Sequence, residues 1–333
     1  MKLYKFYLLL IVCYLSSISV ARGDYDFYTG GLYYRVLSLD DLTCSIVDPI
    51  NTSNYIQHKS DYCGHITIPA TIEFANRTFT VVEIAEYAFF QSSVYSIEIP
   101  GTVHTIHHSA FSMAENLHNV IINDGVKKIM WRAFSGCTNI VNLRLPNTLE
   151  EIGWEAFEES HKLQGIIYIP RTCWVIGEKA FGYGDYDIHI EDGDKELKIY
   201  KYGLGSGNKL YVGRNLIFDY WDTGIYCYNH IEFGDRVTNM PDSAYDNRGY
   251  NTRNIESLTI GKSIKCVPNF EDYEIKKIKL RGEIPAEAMG FRSNTYLHTT
   301  LYIPIKTIDA YVNAKVWKDF WNIVEYGLIK APQ

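Results

Sequence analysis

The dipeptide Ala-Phe returns five times at near-constant spacing, as Ala88-Phe89, Ala110-Phe111, Ala133-Phe134, Ala156-Phe157 and Ala180-Phe181. The steps from one Phe to the next are 22, 23, 23 and 24 residues. Four residues before each Ala stands an isoleucine: Ile84, Ile106, Ile129, Ile152 and Ile176. Three before that stands Val81, Val103, Val126, Leu149 or Cys173. A fixed period of this length marks a repeat architecture, in which each unit is too small to bury its own apolar stripe and must stack on its neighbours.

Between one Phe and the next unit lies a run that alternates. Ile97-Glu98-Ile99-Pro100 is followed by Val120-Ile121-Ile122-Asn123, Leu143-Arg144-Leu145-Pro146 and Ile167-Tyr168-Ile169-Pro170. Alternation at period two is the pattern of a half-buried strand. Pro ends the strand because it has no N–H for the ladder, and Gly101-Thr102 or Asn147-Thr148 makes the turn. Each unit thus predicts a strand, a turn and a tight segment closing on Ala-Phe. The expected fold is a strand-rich repeat solenoid of about 23 residues per turn. The repeat is regular to about residue 193 and looser after it. Ile199 with Gly203-Leu204 replaces Ile and Ala-Phe, and Leu210-Tyr211-Val212-Gly213 is a strand with Gly in the Pro place. Ile231 to Gly234 is another strand, after which Val237, Met240, Ala244 and Tyr245 keep the repeat offsets. Strands are also expected at Leu258 to Ile260, Ile278 to Leu280 and Leu301 to Ile303.

Solenoid ends need caps. Residues 22–80 form the expected N-terminal β cap, with strands near Tyr33 to Leu39, Cys44 to Val47, Ile66 to Ile68 and Phe79 to Val82. The solenoid then covers 81–304 and a short helical C-terminal cap 305–333. In that cap, Thr307 to Val316 is expected as a helix facing inward through Ile308, Tyr311, Val312 and Val316. Trp317, Phe320, Trp321 and Ile323 are expected over the last coil. Before the cap, residues 1–21 have the form of an export signal: Lys2 and Lys5, an apolar Phe6 to Leu15, then Ser19 and Ala21 as the small-x-small cleavage pair, with the cut after Ala21. The apolar run is shorter than a bilayer requires, so no membrane span is expected in the mature chain.

The Val-x-x-Ile-x-x-x-Ala-Phe and Ile-x-Ile-Pro columns resemble the BspA-type leucine-rich repeats of surface proteins of gut and oral Bacteroidetes. Tyr25-Asp26-Phe27, Gly31 to Tyr34, Leu210 to Asn215, Tyr302-Ile303-Pro304, Ala310-Tyr311 and Trp317 to Glu325 resemble them as well. The resemblance implies a secreted or surface protein, some relatives being adhesins for host matrix proteins. It carries no ligand-contact residue with it.

Chemistry is sparse. Without residues 1–21 the chain has 30 basic and 39 acidic side chains, a formal charge of −9, and no basic stripe, which argues against nucleic acid. Gly261-Lys262-Ser263 lacks the upstream Gly of a phosphate loop, since Glu256 stands there, and occupies a strand-ending turn. Gly203, Gly205 and Gly207 are followed by Asn208 where a dinucleotide loop needs Gly, and no βαβ unit surrounds them. His104, His107 and His108 cluster without a spaced fourth ligand. No nucleophile–base arrangement or paired carboxylates stand out, so neither catalysis, a hydrolase included, nor a cofactor is expected. Cys173 sits in a buried column and Cys137 in a turn, while Cys44 and Cys63 share the N-terminal cap and are the candidate disulfide.

What remains is recognition. Stacking turns outward positions into columns, and three residues before each Phe lies Glu86, His108, Trp131, Trp154 and Glu178. Trp131 and Trp154 should therefore be neighbours on one face, with His108 beside them; exposed Trp marks binding surfaces, although packing against loops would also account for them. The outward strand positions Glu98, Ile121, Arg144 and Tyr168 make a second column. The expected function is adhesin-like binding of an extracellular protein or glycoconjugate through Trp131, Trp154, His108, Arg144 and Tyr168. The alternative is a secreted scaffold for assembly or nutrient capture.

Overall fold

A computed structural model describes residues 25–48, 60–218, 225–241 and 253–327. The signal segment 1–21 and the repeat positions Ala244 and Tyr245 lie outside the described residues. The described residues build about ten β-solenoid turns, strand-rich and with very few helices. The chain divides into two compact units, residues 1–162 and 163–333.

In the first unit the chain opens with an antiparallel hairpin, Phe27–Thr29 against Leu32–Ser38, and Thr43–Val47 adds to it antiparallel. From there the pairing is parallel: Thr43–Val47 lies beside Arg77–Ile84, followed by Thr105–Ile106, Lys128–Ile129 and Glu151–Ile152. Register places Ile84, Ile106, Ile129 and Ile152 in one line, and all four are fully buried. A second sheet runs Cys63–Thr67, Ser93–Ile99, Asn119–Ile122, Asn142–Arg144, with Ile97 opposite Val120 and Val120 opposite Leu143. The Phe column closes each coil. Phe89, Phe111, Phe134 and Phe157 are each 0% exposed. Their rings stack nearly parallel, with centroids 4.7, 4.8 and 5.2 Å apart. These distances match the strand spacing of a sheet, so the period that aligns the backbone also aligns the rings.

The bends pack as tightly as the strands. Phe89, Phe111 and Phe134 donate their amides to the carbonyl oxygens of Ala110, Ala133 and Ala156 on the next coil at 2.7, 2.7 and 2.8 Å. Such ladders leave little room: a β-carbon on Gly101 would fall 1.9 Å from the carbonyl oxygen of Asp124.

The second unit is built on one eight-stranded parallel sheet. Its order is Gln164–Ile169, Asp185–Ile190, Lys209–Val212, His230–Phe233, Ser257–Ile260, Lys277–Leu280, Thr300–Pro304, Asn322–Tyr326. Ile167, Ile188, Leu210, Ile231, Leu258, Ile278 and Leu301 form its buried line. The strands expected at 258–260, 278–280 and 301–303 are present. Val237 is buried as its repeat position predicts, whereas Met240 is half-exposed. Where the Ala-Phe grammar loosens, tyrosines fill the interior: Tyr186 and Tyr228 are each 1% exposed, and the Tyr228 hydroxyl donates to the Leu204 carbonyl at 2.7 Å. The glycines here are close approaches between coils. A β-carbon on Gly205 would lie 2.1 Å from the Gly182 carbonyl oxygen, one on Gly207 2.2 Å from that of Tyr186, and one on Gly261 2.2 Å from that of Gly234. Both glycine-bearing motifs thus serve stacking.

The C-terminal helix is shorter than its apolar spacing predicts. It spans Ile308–Asn313, and Val316 adopts φ +74°. Tyr311 and Val316 are buried, but Ile308 and Val312 are exposed. A helix of less than two turns presents only one position to the core, and here it is Tyr311. Trp317 and Phe320 cover the last coil as expected, whereas Trp321 is 80% exposed. No helix among the described residues is long and apolar enough to cross a membrane.

Candidate functional site

The tryptophan column of the first unit is set by a strained bend. The residue preceding each Ala of Ala-Phe is left-handed: Tyr87, Ser109, Arg132 and Glu155 have φ of 58°, 51°, 54° and 54°. None is glycine, so each carries a steric cost. The offset is a backbone ladder along the column, in which Tyr87 donates to the His108 carbonyl at 3.2 Å, Ser109 to Trp131 at 3.0 Å and Arg132 to Trp154 at 2.9 Å. The ladder fixes His108, Trp131 and Trp154 on successive coils and turns their side chains outward.

Trp131 is 45% exposed and Trp154 51% exposed. The His108 ring lies 4.3 Å from that of Trp131, and its Nε2 is 3.1 Å from the Tyr87 hydroxyl. The guanidinium carbon of Arg132 stands 5.0 Å from the centre of the Trp131 ring, and Arg132 is ion-paired with Glu155. The Trp131 indole N–H also points to Glu155, at 3.4 Å. Glu86, Tyr87, His107, His108, Met130 and Trp131 line a groove of about 440 Å³. Burial holds the His108 imidazole below its ordinary value, with Arg132 adding to the effect and Glu86 opposing it.

The five expected binding residues fall in three columns of side chains. His108, Trp131 and Trp154 share the column just described. Arg144 is an exposed residue of the other sheet, in register with Ile121, which is in register with Glu98. Tyr168 belongs to the second unit and heads a column with His189 and Tyr211. Those rings follow one another at 5.3 and 4.4 Å, the second pair nearly parallel. Tyr211 donates its hydroxyl to Asp192 at 2.7 Å; burial and that carboxylate push its phenol up. The neighbours overlooked in the sequence are Tyr87, Met130, Arg132 and Glu155 in the first unit and His189 and Tyr211 in the second. His189 and Tyr211 were detectable, since each precedes an inward aliphatic as Tyr168 precedes Ile169. Arg132 and Glu155 were not, because only the left-handed bend turns them onto the tryptophan.

His107 lies 3.2 Å from Glu83, and His104 is exposed, so the three histidines face different surroundings. The Cys44–Cys63 bond is not formed. Cys44 is buried with its thiol toward the Thr80 carbonyl, and burial pushes it up to about 12, whereas Cys63 is exposed on a strand of the other sheet. Cys137 and Cys173 are buried as their repeat positions predict.

Residues 60–188 match the model of the BspA type leucine rich repeat region, in six copies. A crystal structure of a leucine-rich repeat protein from Bacteroides ovatus is similar at 23% identity, covering 91% of this chain and 77% of that one, with a TM-score of 0.53. A leucine-rich repeat protein of T. pallidum is 19% identical over 58% of this chain and 85% of its own, with a TM-score of 0.45. The pneumococcal vaccine antigen PcpA is 17% identical over 92% of this chain and 99% of its own, with a TM-score of 0.39. No curated protein sequence matches the chain.

Proposed function

We propose, from the premise that residues 60–188 are BspA-type leucine-rich repeats, that this protein is an exported binding module displayed at or beyond the cell surface. It takes an extracellular protein or glycoconjugate on the outward face of its bends, in the manner of an adhesin. The observation that carries this reading is the pairing of two half-exposed tryptophans, Trp131 and Trp154, on successive coils. Exposed indoles cost solubility, and a soluble fold retains them side by side where a ligand covers them. A rigid ladder of backbone hydrogen bonds holds them, so little order has to be gained on binding. Export is supported by the segment ending at Ala21.

The test is a binding screen of the purified protein against extracellular matrix proteins, mucin and a glycan array, repeated with Trp131→Ala and Trp154→Ala. Each substitution should weaken the captured ligand by about tenfold or more, as removal of a central aromatic anchor does. Unchanged binding with an intact circular-dichroism spectrum removes the aromatic face from the function. Binding to no extracellular ligand favours the scaffold alternative.

A further inference from the structure

The groove beside Trp131 differs from its surroundings in its charge balance. Along this side of the first unit three carboxylates have internal cationic partners. Glu150 has Lys127 at 3.4 Å, Glu151 has Lys128 at 3.6 Å, and Glu155 has Arg132, whereas Glu83 faces the ring nitrogen of His107 at 3.2 Å. Glu86 is exposed at the groove and has no ion-pair partner among the described residues. None of the six residues lining the groove is a lysine or arginine.

The same tryptophan shows what chemistry suits such a place. Toward the following coil, Trp131 has a guanidinium over its ring, from Arg132, and a carboxylate that holds it, from Glu155. Toward the preceding coils it has His108, then Tyr87, with Glu86 beside them. That is again an aromatic wall with a carboxylate, but without the cation. Ring faces attract a cation through their quadrupole, and a nearby carboxylate supplies the directional charge. Met130 adds a polarizable lining that adapts to an alkyl stem. The formal charge of the chain, −7, attracts a basic partner at longer range.

We infer that this groove accepts a lysine or arginine side chain of a basic partner protein, with Glu86 as the counter-ion and Tyr87, His108 and Trp131 as the aromatic wall. The inference rests on the reading of this face as a binding surface and adds the kind of group it binds. His108 agrees with it: burial favours its neutral form, so at neutral pH the imidazole itself adds no like charge against the incoming cation.

The probes are hexalysine, hexaarginine, hexalysine acetylated on every side chain, and a chitosan hexamer, titrated calorimetrically into the purified protein at near-physiological ionic strength. Hexalysine or hexaarginine should bind and the acetylated peptide should not. Glu86→Gln and Trp131→Ala should each weaken binding by about tenfold or more, while Glu115→Gln, at another exposed acid, should leave it unchanged. Trp131→Phe, which keeps an aromatic face, should recover part of the affinity and so separates recognition from folding. No binding of either basic peptide overturns the inference, as does an equal loss in Glu86→Gln and Glu115→Gln, which would mean diffuse charge attraction. Glu86-dependent binding of the chitosan hexamer without hexalysine or hexaarginine also overturns it, in favour of an amino sugar. If these peptides fail while Trp131→Ala still abolishes capture on the matrix or glycan array, the binding face stands and only the cationic ligand falls.

Discussion

Arg214 reaches past a whole coil to donate from Nη2 to the carbonyl oxygen of Pro170 at 2.9 Å, 44 residues earlier in the chain. Its Nη1 donates to the neighbouring carbonyl of Arg171 at 2.7 Å, and the side chain is 1% exposed. It crosses the intervening turn at Gly193, where a β-carbon would stand 3.2 Å from its Cδ. A buried guanidinium with two carbonyl acceptors ties three successive strand-ending turns of the second unit together. Arg214→Met keeps much of the volume but makes neither bond, so it should cost about 2–4 kcal/mol in urea unfolding. Arg214→Lys, which cannot fork to two carbonyls, should fall between. A loss below about 0.5 kcal/mol for Arg214→Met would mean that the staple adds nothing to the stack.

The Phe ladder should respond as a core. Phe134 is stacked between Phe111 and Phe157 at 4.8 and 5.2 Å. Phe134→Ala removes one rung and should cost about 3–5 kcal/mol in chemical denaturation, with Phe134→Leu losing less.

The left-handed bends predict a stabilising change. Ser109 is buried and held at φ 51°. Ser109→Gly removes the β-carbon cost there and should gain about 0.5–1 kcal/mol, after the added freedom of glycine in the unfolded chain is subtracted. Gly101→Ala should do the reverse, because its new carbon would meet the Asp124 carbonyl at 1.9 Å. The pair is read by comparing urea midpoints with the parent.

Acidification should weaken the first unit through His108. Its folded value lies below the ordinary 6.5, chiefly because of burial. As the pH falls, the unfolded chain therefore takes up this proton first. The associated stability is complete above about 6.5 and is lost progressively until the pH passes the depressed folded value. Melting temperatures across this range should slope less in His108→Gln than in the parent. An unchanged slope would place the sensitivity on other groups.

Binding through the tryptophan column, by contrast, should be insensitive to the other outward surfaces. Arg144→Ala, on the opposite sheet, should leave capture of a ligand unchanged on the same array that reads Trp131→Ala and Trp154→Ala. Equal losses from all three would extend the site around the coil.

The solenoid, its buried Ile and Phe columns, its strand positions and the adjacency of Trp131 to Trp154 were legible in the residues alone. They follow from coil length, and coil length is a property of spacing: once one unit stacks on the next, every position meets its counterpart about 23 residues away. What spacing does not contain is the lateral geometry within a coil. Only the folded bend, with its left-handed Arg132 and Glu155, brings that arginine over Trp131 and leaves Glu86 uncompensated in a groove. Only the folded turn at Gly193 lets Arg214 pass to Pro170. The truncation of the C-terminal helix at Asn313 and the exposure of Trp321 belong to the same class. Each depends on backbone direction at a single turn, which is settled by hydrogen bonds to neighbouring coils and not by a residue's place in the repeat.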